Sequence, residues 1–229
     1  MVGSVPPVAS PVVPQAAAPT LPLPLPRRPL HPAGVAASQP LPAAGPAAAE
    51  ARPPAPADRV RGWYENELGW TTVPGEPVGL SVGVRFDVLE VPAEAGHAAL
   101  RRLAPGSPVA VRGDRMRLLV AAGSAEELPG ILRWLEWGEL PLDLTATGAG
   151  GVIEAPLPPG LEPSWPAQGA AVWVRPPETG CEVEASLPTV SALGGGGGAP
   201  DLVRWVDTLA THCHRVRLRR VSAQALAFS

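Results

Sequence analysis

Sixteen of the chain's 32 prolines fall within its first 57 residues, a stretch holding one acid, Glu50, and no aromatic side chain. Proline fixes φ and lacks an amide hydrogen, so this density denies the segment both a helix and a strand ladder. With few large apolar groups and no helical period, the segment cannot bury enough surface to offset its chain entropy. Residues 1–57 are therefore expected to form a disordered Pro/Ala-rich arm, leaving residues 58–229 to build about one domain.

Charge narrows the chemistry. All 18 basic residues are arginine, which excludes Schiff-base catalysis and the phosphate loop ending in Gly-Lys-Ser/Thr. The net charge of −3 divides into about +2 for the arm, from Arg27, Arg28 and Arg52 against Glu50, and about −5 for the remainder. That balance argues against tight nonspecific DNA binding by the whole surface, while leaving room for a local arginine patch. The N-terminus has no charged leader region, and no run of about 18 apolar residues occurs, so a cytoplasmic location without membrane contact is expected. Cys181 and Cys213 make no disulfide framework.

The composition changes at Asp58, where RVRGWYENELGW brings the first aromatic residues. Thr71–Pro74 reads as a short strand. Leu80–Val91 reads as one central strand ended by Pro92, with a helix over Ala93–Leu103 and a stop at Pro105-Gly106. Val109–Val111 and Met116–Ala121 bracket Gly113-Asp114 as a hairpin. Ser124 with Glu127 forms a capping-box pattern ahead of a helix whose apolar face holds Leu128, Ile131, Leu132, Leu135 and Trp134. Leu142, Leu144, Val152 and Ile153 flank a Gly-rich turn, Gly148–Gly151, which reads as a second hairpin with Asp143 at the end of its first strand. A strand follows around Trp173, then a flexible connector, Gly194–Gly198, and a last helix that Asp201 caps and that ends in arginines. Strands interleaved with helices give an α+β, mixed-sheet α/β domain.

Three segments in this order resemble the N-terminal domain of the bacterial bifunctional DNA primase/polymerases: the GWTTVPG opening, the strand RFDVLEVPAEAG, and LPLDLTATGAGGVIEAPLPP with its acid, Gly-Gly turn and Pro-rich exit. The resemblance covers roughly Arg59 to Pro159. It implies a palm-like domain, nucleotidyltransfer, and carboxylates that hold Mg2+ or Mn2+. Laid over the family pattern, Glu90 falls on the first acid and Asp143 on the third, which makes them the implied metal ligands. Pro92 stands where the second acid belongs, and Arg115, Met116 and Arg117 stand where the family has a histidine that helps to hold the triphosphate. Arg115 and Arg117 can still grip phosphate.

Asp87 is a third catalytic candidate, for an active polymerase that rearranges its acids around Glu90 and Asp143, but it lies three residues from Glu90, so on a regular strand the two face opposite sides and cannot chelate one ion together. Glu94 is a distant substitute. The resemblance thus implies a diverged domain binding a nucleoside triphosphate or single-stranded DNA with an incomplete catalytic set. Arg112, Arg115 and Arg117 with Arg101 and Arg102 form a candidate single-strand contact face, although charges alternating along a strand are usually its wet side.

Other chemistries find little support. His212, Cys213 and His214 point in different directions on a helix, no serine sits in a nucleophile elbow, and the Gly148–Gly151 run leads into a strand instead of a helix. The tryptophans, Trp134, Trp137 and Trp205 among them, are expected to fill the core, with Trp165 the better candidate for exposure. The alternative function is a noncatalytic interaction protein whose arm offers a protein partner the proline-spaced segment Leu21–Leu30.

Overall fold

The computed structural model describes residues 54–103, 105–161, 169–190 and 200–227. Residues 1–53 of the proline-rich arm, with Leu21–Leu30, together with Trp165 and the Gly194–Gly198 connector lie outside the described residues; residues 54–57 are described, and the expected boundary at Asp58 is corrected to the helix start at Pro56. Pro56 opens the first helix, where its missing amide hydrogen is no loss. This helix, α1 (Pro56–Gly62), runs on through a π-helical turn, Trp63–Glu67. The Trp-rich segment after it supplies a core of its own: Tyr64 and Trp70 are buried, and Trp70 lies 4.5 Å from Phe86 between ring centres. The Tyr64 hydroxyl donates to the Pro156 carbonyl at 2.6 Å and accepts from Trp173 Nε1 at 3.1 Å, so its polar end is satisfied inside.

Among the described residues eight strands follow: β1 (Thr72–Val73), β2 (Gly79–Ser81), β3 (Phe86–Pro92), β4 (Val109–Arg112), β5 (Arg115–Ala121), β6 (Thr145–Thr147), β7 (Val152–Glu154) and β8 (Val172–Arg175). They form a three-stranded sheet ordered β1-β2-β7 and a five-stranded sheet ordered β6-β3-β5-β4-β8. Every ladder is antiparallel. Among the described residues only isolated bridges run parallel, so the expected α+β class holds with antiparallel sheets, and its mixed-sheet part is corrected.

Helices α2 (Ala93–Leu100), α3 (Ser124–Trp134) and α4 (Leu202–Ala227) contribute to a single core with one face of the larger sheet. Leu89, Val91, Met116, Leu118 and Val120 point into that layer beside Leu202, Trp205, Val206 and Leu209. The alternate residues Phe86, Val88 and Leu119 face the smaller sheet and the aromatic cluster. The two-residue period of β3 and β5 thus divides the domain into two cores. Gly96 permits the closest approach between the layers: a Cβ there would lie 2.2 Å from Met116 Sδ.

Two expected strand readings are corrected. The run Leu80–Val91 is not one strand, because the chain turns at Gly83 (φ +93°) and β2 and β3 enter different sheets. The Gly148–Gly151 turn does not close a hairpin either. β6 pairs with β3, whereas β7 pairs with β2, so this turn hands the chain from one sheet to the other. The hairpin of β4 and β5 forms as expected, with Gly113 at φ +57° in its turn. Among the described residues no helix is long and apolar enough to cross a membrane.

Candidate functional site

β3 presents Asp87 and Glu90 to opposite faces, as the pleat requires. Asp87 points into the helical layer and is 1 % exposed. Its Oδ2 accepts from the Ala125 amide of α3 at 2.9 Å. Gly123 occupies the residue before that helix in a left-handed conformation, and no side chain of the helix's own start caps it. The Ser124–Glu127 capping box is therefore corrected: the acceptor comes from a neighbouring strand. Asp87 holds a helix terminus and stands apart from the other acids. Gly148 completes this corner, since a Cβ there would come within 2.8 Å of Ala125 Cβ.

Glu90 looks out on the other side, at the end of the sheet, across from Arg117 on β5 and Thr145 on β6. Its carboxylate accepts from Arg115 Nε at 3.1 Å and from Arg117 Nε at 2.8 Å. Arg115 Nη1 donates in turn to Asp143 Oδ1 at 2.6 Å, and Arg220 of α4 stands 3.9 Å from Asp143 Oδ2. Glu90, Asp143, Arg115 and Arg117 are thereby brought into one cluster. Asp143 lies in the loop before β6 and not on a strand, a correction to its expected position. Glu94 is turned away toward Arg219, at 2.7 Å.

On β5 the alternating arginines Arg115 and Arg117 are not a wet face, whereas Arg112 on β4 is exposed. The Arg115 side chain is 24 % exposed and that of Arg117 11 %. Arg117 Nη1 is buried without an acceptor among the described residues. Partial burial pushes the Glu90 pKa up, but the hydrogen bonds and charges of Arg117 and Arg115 outweigh it and hold the carboxyl below its ordinary range. For Arg115 burial likewise favours the neutral form, yet its bonds to Asp143 and Glu90 raise its pKa overall.

These contacts test whether a divalent cation fits. Both oxygens of Glu90 and one oxygen of Asp143 already accept from guanidinium groups. Positive charge thus stands where a metal ion would have to sit. No group of three His, Cys, Asp or Glu side chains suited to an ion forms among the described residues. The arrangement as built does not fit Mg2+ or Mn2+.

Sequence reasoning missed the share that α4 takes in this site. Arg217 Nη1 donates to the Pro141 carbonyl at 2.9 Å, Cys213 Sγ approaches the Asp143 carbonyl at 3.6 Å, and Arg220 faces the Asp143 carboxylate. Positions 213, 217 and 220 follow a helical spacing, which was the available signal, but it identifies no target 70 residues away. Burial, with a smaller contribution from Asp143, pushes the Cys213 thiol up to about 12, so this sulfur is an inert packing group. Arg112 belongs to a different pair, with Glu154 at 2.5 Å, beside an apolar cavity of about 510 Å³ that includes Val60, Pro77 and Leu157 in its wall. Trp205 is buried as expected, whereas Trp134 is 72 % exposed, which corrects its assignment to the core. Trp137 is only partly covered and donates through Nε1 to Asp207 at 3.0 Å. Comparison with protein-family models, curated proteins and solved structures finds no match to this chain.

Proposed function

We propose that this domain is a noncatalytic, diverged relative of the primase/polymerase palm that binds a nucleoside triphosphate through arginine instead of through metal. The observation that carries this reading is the cluster of Arg115 and Arg117 on Glu90 and Asp143. A triphosphate, like a carboxylate, offers anionic oxygens that a guanidinium fork can pair with two at a time, so guanidinium groups can exchange one for the other. Arg117, with one donor lacking an acceptor, gains most from the exchange. Glu90 and Asp143 then act as internal counter-ions that keep the arginines aligned while no ligand is bound.

Calorimetric titration of the full chain with ATP, in chelator and again in Mn2+, tests the reading. Binding is expected in chelator. It should weaken at least about tenfold in Arg117→Ala, the value of one charge-assisted hydrogen bond. In Glu90→Gln it should hold or tighten, because a competing anion is gone. Binding seen only with Mn2+, and lost in both Glu90→Gln and Asp143→Asn, would return the site to metal chemistry. No binding under either condition overturns the nucleotide reading.

A further inference from the structure

The arginines expected to make one contact face are divided by the fold. Arg112, Arg115 and Arg117 are paired with acids, whereas Arg101 and Arg102 lie at the end of α2, exposed, and none of the ion pairs among the described residues includes them. They meet instead more arginine. A cleft of about 380 Å³ is lined by Arg101, Arg102, Leu103, Pro200, Asp201, Arg204 and Trp205. Asp201 also lines the cleft, accepting from the Val203 amide at 2.8 Å through one oxygen, and Trp205 is buried, so one carboxylate faces three guanidinium groups and the cleft is net positive.

From this cleft the positive charge continues along α4. Residues 204, 212, 215 and 219 recur at helical spacings on one side of the helix. Glu94 near the start of α2 bonds Arg219, whereas Arg101 and Arg102 just past its end flank Arg204, so the two helices run antiparallel with a seam between them. The stretch from Arg204 to Arg219 is about 22 Å long at 1.5 Å per residue. His212 lies within this field. Burial, then Arg215, Arg102, Arg101 and Arg219 in turn, disfavours its charged form. The sequence carries more acids than arginines, 21 against 18, yet Arg101, Arg102, Arg204 and Arg215 sit together with no ion-pair partner among the described residues. Four like charges gathered about a cleft with a single carboxylate, Asp201, repel one another, and an external polyanion relieves that cost.

The geometry points to a track for the phosphodiester backbone of single-stranded nucleic acid along the seam of α2 and α4, with Arg101, Arg102, Arg204 and Arg215 as its phosphate contacts. A line of arginines matches one backbone, and the part of it from Arg204 to Arg215, about 16 Å at 1.5 Å per residue, spans several phosphates even at the 3.4 Å axial spacing of a strand in a duplex. The track offers no exposed aromatic platform and no amide side chain, so it holds the backbone without reading sequence. Its far end adjoins Arg220, which reaches Asp143, so a strand lying on the track runs toward the arginine cluster at the sheet end. The proposal goes beyond the triphosphate reading and uses none of the residues assigned to it.

Fluorescence anisotropy of the full chain with a labelled dT oligonucleotide tests the track, against inorganic phosphate and a duplex of equal length as competitors. The triple variant Arg101→Gln, Arg204→Gln, Arg215→Gln changes exposed side chains only, and its thermal melt is compared with the parent to confirm folding. The expected result is affinity at least tenfold weaker in the variant, with ATP heats unchanged. The slope of log affinity against log salt should be shallower by about 2, three contacts at about 0.7 each. On strand binding the His212 imidazole should titrate at higher pH, as phosphate offsets the arginine field. Unchanged oligonucleotide affinity in the folded variant overturns the track. So does competition by inorganic phosphate at concentrations matched per phosphate group, which would mark a site for single anions, and so does tighter binding of the duplex.

Discussion

Glu90 is the residue on which the sheet-end cluster turns. It receives two guanidinium groups, and replacing it with glutamine leaves Arg115 and Arg117 partly buried with a neutral acceptor. Glu90→Gln is expected to cost about 1–3 kcal/mol of unfolding free energy, measured by urea denaturation at neutral pH. The pH dependence follows from the sign of the shift. The folded carboxyl titrates below its unfolded value of about 4.5, so its stabilisation is complete above that value and is lost as pH falls through the folded pKa. His212 also titrates below its ordinary 6.5 when folded, so the unfolded chain binds its proton first, and stability falls as pH drops below about 6.5. Two acid-side losses are therefore expected. Glu90→Gln should remove the lower one and leave the upper in place, whereas a midpoint curve unchanged between pH 3 and 5 would show that the pair carries no stability. At this scale the sequence was legible in part: the opposite faces of Asp87 and Glu90 follow from strand geometry alone, but the guanidinium partners of Glu90 follow from a register that only pairing with β5 sets.

Among the elements, α3 shows how a local motif is overridden. Its sequence carries both members of a capping box, yet the observed acceptor for its first turn is the Asp87 carboxylate from β3. An acid at a helix N-terminus also opposes the helix dipole favourably. Asp87→Ala is expected to destabilise the domain by about 1–2 kcal/mol, the cost of losing a cap, and to raise hydrogen exchange first at the Ala125 amide. Ser124→Ala should change little, and a larger loss from Ser124→Ala than from Asp87→Ala would reinstate the local box. The same distinction explains the strands. The Gly148–Gly151 turn is readable as a chain reversal, because glycine marks positive φ and tight approach, whereas the lone Gly83 is hidden inside an apolar run that reads as one strand. Which sheet β6 and β7 join depends on partners 55 to 75 residues away, and neither is long enough, at three residues, to declare its partner by pattern.

For the molecule as a whole, the helix that closes the core lies beyond the segment in which the primase/polymerase resemblance is written. That resemblance ends near Pro159, and its motifs say nothing of α4. Yet α4 places Leu202, Trp205, Val206, Leu209, Cys213 and Val216 into the same layer as Leu89, Met116 and Leu118. It also holds the loop of Asp143 from the outside. Removing a buried tryptophan alone typically costs about 3–5 kcal/mol, a large part of a domain's stability of about 5–15 kcal/mol. A chain ending at Val190 therefore exposes the helical face of the larger sheet and should lack a fixed core. It is expected to keep far-ultraviolet ellipticity from its remaining elements, lose near-ultraviolet signal and bind hydrophobic dyes, whereas the full chain unfolds cooperatively. Adding residues 200–227 as a separate peptide should restore the near-ultraviolet signal, because the surface it covers is shaped by β3 and β5. Cooperative unfolding of the shortened chain without the peptide would make α4 an accessory. The arginine track would then rest on an appended helix instead of on the wall of the domain, and its alignment with α2 would no longer follow from the packing of the core.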